Sequence, residues 1–175
     1  MATSSPQAQP VRNMRSMFGL VYRMEEMMDE KYLEIGEYTG EGYKPVVDYE
    51  AWRVAILNYL EDDHPEKLER VERHIATDEI FVLLSGQAVL FVGGGSNFLE
   101  RLLPQVMEPG KIYNVKKSAW HTVALSPEAS ILIVENRDTD SSNSEFSLLQ
   151  PEHKQMILET VYRELSNWYK PTGTG

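Results

Sequence analysis

Four ionisable side chains in this 175-residue chain have the types and spacing that chemistry requires. Glu72 and His74 are two positions apart, so on a β-strand both side chains would point to one face. Glu79 and His121 each begin a run in which every second residue is apolar. Both side chains therefore point to where a hydrophobic core is expected. Because a buried glutamate is costly unless it is paired, hydrogen-bonded or bound to a metal, this pattern indicates a functional site.

The chemistry of these side chains is that of a metal site. Two imidazoles and one carboxylate are a ligand set for divalent zinc, iron, manganese or nickel. With vacant positions the same set suits oxygen chemistry at ferrous iron. The alternative is that His74, Glu79 and His121 satisfy one another and hold no metal.

Three further side chains are candidates for binding a substrate. Arg53 shares a strand face with Leu57, so it either enters the interior that the strands enclose or is exposed at the mouth of that interior. The alternative is a pairing with a structural carboxylate. Tyr113 shares a face with Val115 and would offer its hydroxyl to a ligand. Lys117 follows shortly after on the same stretch.

The elements that must position these residues are short strands. Apolar and β-branched runs separated by turn residues predict strands over 51–60, 71–76, 79–84, 87–92, 98–107, 111–115, 120–125 and 130–136. Residues 36–45 are predicted to be a turn-rich connection and residues 138–145 a polar loop. The three glycines at 93–95 are interpreted as a hairpin turn. This arrangement predicts an all-β sandwich or barrel.

The two ends of the chain have a different composition. Residues 1–13 are small and polar and are predicted to be a disordered tail. The methionine-rich stretch 14–28 is interpreted as core or oligomer contact. Ile157, Val161, Leu165 and Trp168 form an apolar stripe that predicts a C-terminal α-helix over 151–170, packed outside the barrel. The domain prediction is a tail over 1–13, a barrel with an N-terminal extension over 14–150, and this helix.

Composition favours some classes of partner and disfavours others. A net charge of −10 disfavours nucleic acid. No apolar run approaches the roughly 20 residues that a membrane-spanning helix needs. The first ten residues lack the pattern of a signal peptide, and the chain has no cysteine for disulfides or thiolate sites. We therefore expect a cytoplasmic protein whose partner is a small polar metabolite.

The spacing of these residues resembles the two sequence motifs of the cupin superfamily. His74, Glu79 and Gly86 keep the second half of the first motif, and Glu72 stands in place of its first histidine. The resemblance covers about residues 50–137.

The second cupin motif is kept only in part. Gly110 and His121 have its spacing, whereas Lys116, Ser118 and Leu125 replace its proline, glycine and asparagine. The chain is similar to small bacterial cupins of uncharacterised function and, more distantly, to barrels of the ureidoglycolate lyase type.

This resemblance implies a fold and a range of functions. The fold is a double-stranded β-helix, the cupin or jelly-roll barrel, and cupins commonly form homodimers. The metal ligands would be His74, Glu79 and His121, with Glu72 as a fourth, and Glu79 or Glu72 would act as general base. The activity would be that of a metal-dependent isomerase, epimerase or lyase on a sugar or a hydroxy or keto acid. The alternative is a non-catalytic ligand-binding or structural cupin that has lost its metal.

Overall fold

The computed structural model describes residues 31–165 of the chain. The predicted tail over 1–13, the methionine-rich stretch 14–28 and Trp168 lie outside these residues, so the predicted domain boundaries stay a prediction. The chain divides into two units, residues 1–35 and 36–175. The fold below is that of the second unit.

Ten β-strands, two short 3₁₀ turns and one α-helix make up the described part of the chain. The 3₁₀ turns, Glu61–Asp63 and Pro65–Lys67, connect the second and third strands. The helix α1 is Pro151–Glu164. The strands are β1 (Gly42–Tyr49), β2 (Trp52–Asn58), β3 (Arg70–His74), β4 (Glu79–Ser85), β5 (Ala88–Gly94), β6 (Arg101–Val106), β7 (Ile112–Val115), β8 (Trp120–Leu125), β9 (Ser130–Asn136) and β10 (Ser144–Leu148).

The strands form two antiparallel sheets of five. The first sheet has the order β1-β2-β9-β4-β7 and the second has the order β10-β3-β8-β5-β6. From β2 to β9 each connection passes from one sheet to the other, apart from the hairpin that joins β5 to β6. This order is that of a jelly roll, in which two Greek keys wrap a barrel. The prediction of an all-β, double-stranded β-helix is confirmed.

The barrel interior is apolar because strand residues alternate between its two faces. Inward residues of β4 and β9, such as Phe81, Leu83, Ile131 and Ile133, are buried in one core cluster. On each of these two strands, the series of inward-facing residues ends in a buried glutamate, Glu79 on β4 and Glu135 on β9.

The helix α1 covers the outer face of the second sheet. At the start of the helix, His153 Nδ1 accepts a hydrogen bond from the backbone N–H of Gln150 at 3.3 Å, as in a capping box. Its buried Ile157 and Val161 pack in a second core cluster with Phe91 and Trp120. The predicted apolar stripe thus packs on the barrel as far as Leu165. Within residues 31–165, no helix has both the length and the apolar character needed to span a membrane.

Two strands lie where the sequence predicts turns or loops. The first half of β1 falls in the stretch predicted to be a turn-rich connection, and β10 begins in the predicted polar loop. Both are edge strands, one at the rim of each sheet. Edge strands tolerate polar residues and proline, and Pro45 lies at a register shift in β1. Their sequences therefore lack the apolar alternation from which the inner strands are predicted.

Candidate metal and ligand site

Three buried side chains converge inside the barrel from three strands. His74 ends β3, Glu79 begins β4 and His121 is the second residue of β8. Their exposed fractions are 7%, 6% and 3%. Strand alternation directs all three inward, as the sequence predicts.

The two imidazoles contact the same carboxylate oxygen. His74 Nε2 lies 3.1 Å and His121 Nε2 lies 2.9 Å from Glu79 Oε2. The two imidazole rings are 5.2 Å apart between centroids and meet edge to face. Glu79 Oε2 thus contacts a nitrogen of both imidazoles.

The second nitrogen of each ring is held by the protein. His74 Nδ1 lies 2.8 Å from Ser144 Oγ, on β10. His121 Nδ1 donates to the carbonyl oxygen of Ala119 at 3.0 Å. In a neutral His121 this bond leaves a lone pair on Nε2, facing the Glu79 carboxylate. Such outer partners orient histidines that bind metals.

His121 Nε2 is buried and makes no hydrogen bond of acceptable geometry, although Glu79 is near. A lone pair and a carboxylate at 2.9 Å repel unless a cation lies between them. That cation is either a proton on His121 or a metal ion. The environment thus fits a cation at this point.

The charges of the cluster support one another. Burial alone would raise the pKa of Glu79, but His121 and His74 lower it well below its ordinary value. Burial alone would lower the pKa of His121, but the Glu79 carboxylate, the Ala119 carbonyl and Glu72 raise it. The carboxylate is therefore ionised and the site attracts positive charge.

Two overlapping groups of side chains can hold a metal ion. One ligand atom from each of Glu72, His74 and His121 lies within 4.8 Å of the others, and the same is true of His74, Glu79 and Glu135. Nitrogen and carboxylate oxygen ligands in this number suit zinc, iron, manganese or nickel. The half-buried Glu72 occupies the place that the sequence predicts for a fourth ligand.

These residues line a cavity of about 370 Å³. That volume is in the range of small-molecule sites. Of the residues predicted from the sequence, the cavity brings together His74, Glu79, His121, Glu72 and Arg53.

Two predicted substrate-binding residues do not line this cavity. Tyr113 uses its hydroxyl to accept a hydrogen bond from the Glu108 backbone at 2.8 Å. Lys117 is exposed, and its backbone N–H donates to Asp78 at 2.8 Å. These contacts lie outside the cavity, and a role of either residue in substrate binding stays a prediction.

The cavity contains a second ionic cluster that the sequence does not predict. The buried Glu135 accepts hydrogen bonds from the Tyr43 hydroxyl and from Arg53 Nε, the latter at 2.9 Å. Thr139 lines the cavity next to this cluster. Glu135 carries the same signal as Glu79, because it alternates with the inward Ile131 and Ile133. Arg53 thus lines the cavity and also pairs with a carboxylate, which combines two of the alternatives that the sequence leaves open.

No family model and no curated protein matches the sequence. Solved structures resemble it at low sequence identity. A cupin-2 domain protein from Shewanella frigidimarina is 16% identical, with a TM-score of 0.38 over 73% of this chain and 95% of that one. Streptomyces PAC13 with uridine is 10% identical, with a TM-score of 0.45 over 67% of this chain and 88% of that one. FeII HppE is 16% identical, with a TM-score of 0.43 over 54% of this chain, which spans about half (48%) of its length.

The chain has a cupin fold. The order of its strands is that of the jelly-roll barrel. The likeness to the solved structures concerns the fold alone. The ligand cluster of this cupin barrel lies on the inward faces of β3, β4 and β8.

Proposed function

We propose that this cupin binds a divalent metal and acts on a small polar metabolite as an isomerase, epimerase or lyase. The metal ligands are His74, Glu79 and His121, with Glu72 as the fourth. The candidate metals are manganese, zinc, nickel and iron.

The observation that carries the proposal is the unsatisfied His121 Nε2. It is buried and turned towards a carboxylate that two imidazoles share. A cation ligated by all three side chains would satisfy these atoms together. In such sites a metal ion polarises a carbonyl or hydroxyl oxygen of the substrate.

The chain's own residues supply the proton transfer. Glu79 is engaged by both histidines, so it is held in one orientation. Glu72 lines the same cavity, and no hydrogen bond or ion pair engages its carboxylate in the described part of the chain. We infer that Glu72 is better placed than Glu79 to accept a proton from a bound metabolite when it is not ligating the metal.

A second candidate function is a ligand-binding cupin without metal. It is favoured by the raised pKa of His121, because a protonated His121 would pair with Glu79 and make a metal unnecessary. In that case the cavity would bind its metabolite by hydrogen bonds alone. Metal content separates the two candidates.

The test is elemental analysis of full-length protein purified without chelators or a metal-affinity tag. We expect close to one equivalent of manganese, zinc, nickel or iron in the wild type. His121→Ala removes one of the ligands, so its metal content should fall at least tenfold.

The matched control is His153→Gln, which changes a histidine at the start of α1, outside the cavity. It should keep the wild-type metal content. A wild type that takes up no added ion, or a His121→Ala variant as rich in metal as the wild type, would overturn the metal-dependent proposal and favour the second candidate.

A further inference from the structure

Two buried glutamates lie side by side on the inward face of the first sheet. In the antiparallel register of β4 and β9, Ile80 lies opposite Val134. The next residue of each strand towards the same end of the sheet is Glu79 on β4 and Glu135 on β9. Each is 6% exposed. Like charges at neighbouring positions destabilise a sheet, and burial adds to the cost unless a cation lies close to both.

The protein satisfies only one oxygen of the Glu135 carboxylate. The Tyr43 hydroxyl and Arg53 Nε both donate to Oε1, and across residues 31–165 no hydrogen bond reaches Oε2. Arg53 is held in turn by the carbonyl oxygens of Arg137 and Thr139. A structural ion pair alone would leave a buried carboxylate half satisfied, which is uncommon. Two donors on one oxygen instead orient the other, as hydrogen bonds do for carboxylates that bind metals.

Glu135 lies within reach of an ion bound by His74 and Glu79. One ligand atom from each of these three buried residues lies within 4.8 Å of the others. Atoms bound to one ion at about 2.0–2.2 Å are at most about 4.4 Å apart, so small side-chain movements suffice. Glu79 Oε2 also lies 2.9 Å from the buried, unsatisfied His121 Nε2. That atom is independent evidence for a cation at this place.

The charges of the cluster match those of a divalent ion. Its charged side chains are Glu72, Glu79, Glu135 and Arg53. Three carboxylates against one guanidinium leave two negative charges when the imidazoles are neutral. One divalent ion therefore compensates the buried carboxylates that Arg53 alone does not, and an uncompensated buried charge is strongly destabilising.

We propose that Glu135 is a further ligand of the bound metal, beside the four that the proposed function names. Tyr43 and Arg53 are positioning residues that hold its carboxylate. The ligands are then two imidazole nitrogens and three carboxylates, and the added carboxylate favours manganese over zinc. The inference rests on the proposed function for the presence of the metal, and it adds a ligand from outside both cupin motifs.

The test is the affinity of metal-free, full-length protein for Mn²⁺ and for Zn²⁺, measured by competition with a chelator of known affinity. Glu135→Gln keeps the size of the side chain and an oxygen that accepts from Tyr43 and Arg53, but it removes the anionic ligand. The affinity for Mn²⁺ should fall at least about tenfold, and that for Zn²⁺ should fall less. Loss of a nearby charge without ligation would weaken the binding of both divalent ions alike. The change in the ratio of the two affinities therefore reports ligation.

A second variant, Glu135→Asp, keeps the charge and draws the carboxylate back by one methylene group. The affinity for Mn²⁺ should fall in this variant too, because a ligand must reach the ion whereas a charge acts at a distance. This variant also keeps an acid opposite Arg53, so it tests the ligand with the ion pair retained.

Two controls separate ligation from disruption of the cluster. Tyr43→Phe removes one hydrogen bond to Glu135 and keeps the carboxylate, so the ratio of Mn²⁺ to Zn²⁺ affinity should stay that of the wild type. Glu145→Gln removes the carboxylate of another arginine pair, formed with Arg73 outside the cavity. It should keep both affinities.

The outcomes separate this inference from the proposed function. The ligand inference alone is overturned by an unchanged Mn²⁺ affinity in either Glu135 variant. It is also overturned by equal losses for the two ions in Glu135→Gln, or by the same change of ratio in Tyr43→Phe. In each of these cases the wild type still binds its metal, so the proposed function stands. A wild type that takes up neither ion overturns both.

Discussion

At the scale of single residues, the Tyr43–Glu135 pair makes a prediction about alkaline pH. Partial burial of the side chain raises the pKa of Tyr43, although the residue as a whole is 41% exposed, and its hydrogen bond to the Glu135 carboxylate raises it further. In the unfolded chain a tyrosine loses its proton near pH about 10. The folded state therefore holds this proton longer, and its contribution to stability is present below that pH and is lost as pH rises towards the folded pKa.

The measurement is the free energy of unfolding in urea at several pH values between neutral and strongly alkaline. Tyr43→Phe should show a shallower alkaline decline than the wild type, because it lacks the linked proton. Tyr49→Phe changes an exposed tyrosine of the same strand and should keep the wild-type decline. Equal declines in wild type and Tyr43→Phe would contradict the assignment.

The residues of the site differ in how far the sequence predicts them. Glu79 and His121 interrupt inward apolar rows, and that conflict between polarity and position is visible without a structure. Glu135 breaks the row of β9 in the same way. Tyr43 and Thr139 have no such signal, because the first lies on an edge strand and the second in a loop, where polar residues are ordinary.

At the scale of elements, the turn after β4 depends on a backbone conformation that glycine adopts readily. Gly86 has φ of +70°, and a Cβ there would lie 2.5 Å from both the N and Cα atoms of Ala129. We expect Gly86→Ala to lower the free energy of unfolding by about 3 kcal/mol, from the left-handed conformation and the overlap with backbone. Urea unfolding measures this loss.

Gly94 provides the matched control in the β5–β6 hairpin. A Cβ at Gly94 would meet no heavy atom within 4 Å. Gly94→Ala should therefore remain within about 1 kcal/mol of the wild type. If the two alanine variants lost equal stability, the conformation of the Gly86 turn would not be the cause.

The elements also show why the strand prediction is incomplete. The inner strands β4 and β9 pair on both sides, and every second residue of their sequences is a buried, mostly apolar one. β1 and β10 pair on one side only, β1 with the neighbouring β2 and β10 with β3, which is distant in sequence. Local composition cannot specify such long-range pairing. The jelly-roll order follows from the spacing of the inner strands together with the cupin motifs.

At the scale of the whole molecule, the candidate metal site joins distant parts of the chain. His74 and Glu79 are close in sequence, but His121 comes from a strand more than 40 residues further on. β3 and β8 are paired directly at Glu72 and His121. The complete set of proposed ligands therefore exists only in the folded barrel, and a metal bound there would contribute to folding. A homodimer remains a prediction at this scale.

Binding to the folded state alone predicts a metal-dependent thermal stability. A metal at a hundredfold excess over its Kd stabilises the folded state by about 2.7 kcal/mol. For a domain of this size that corresponds to a rise in Tm of roughly 5–10 °C. The measurement is thermal unfolding of full-length protein with zinc, manganese, nickel or ferrous iron, and then with a chelator, which should reverse the rise.

The variants decide whether the rise comes from this cavity. His121→Ala and Glu79→Gln each remove a ligand, so they should lose most of the metal-induced rise whatever their own Tm without metal. His153→Gln should keep it. Because the rise is a difference within each variant, a loss of intrinsic stability does not imitate a loss of metal binding. A rise of equal size in all three variants would show that the metal binds elsewhere on the acidic surface and that the buried cluster is held by its own hydrogen bonds and charges.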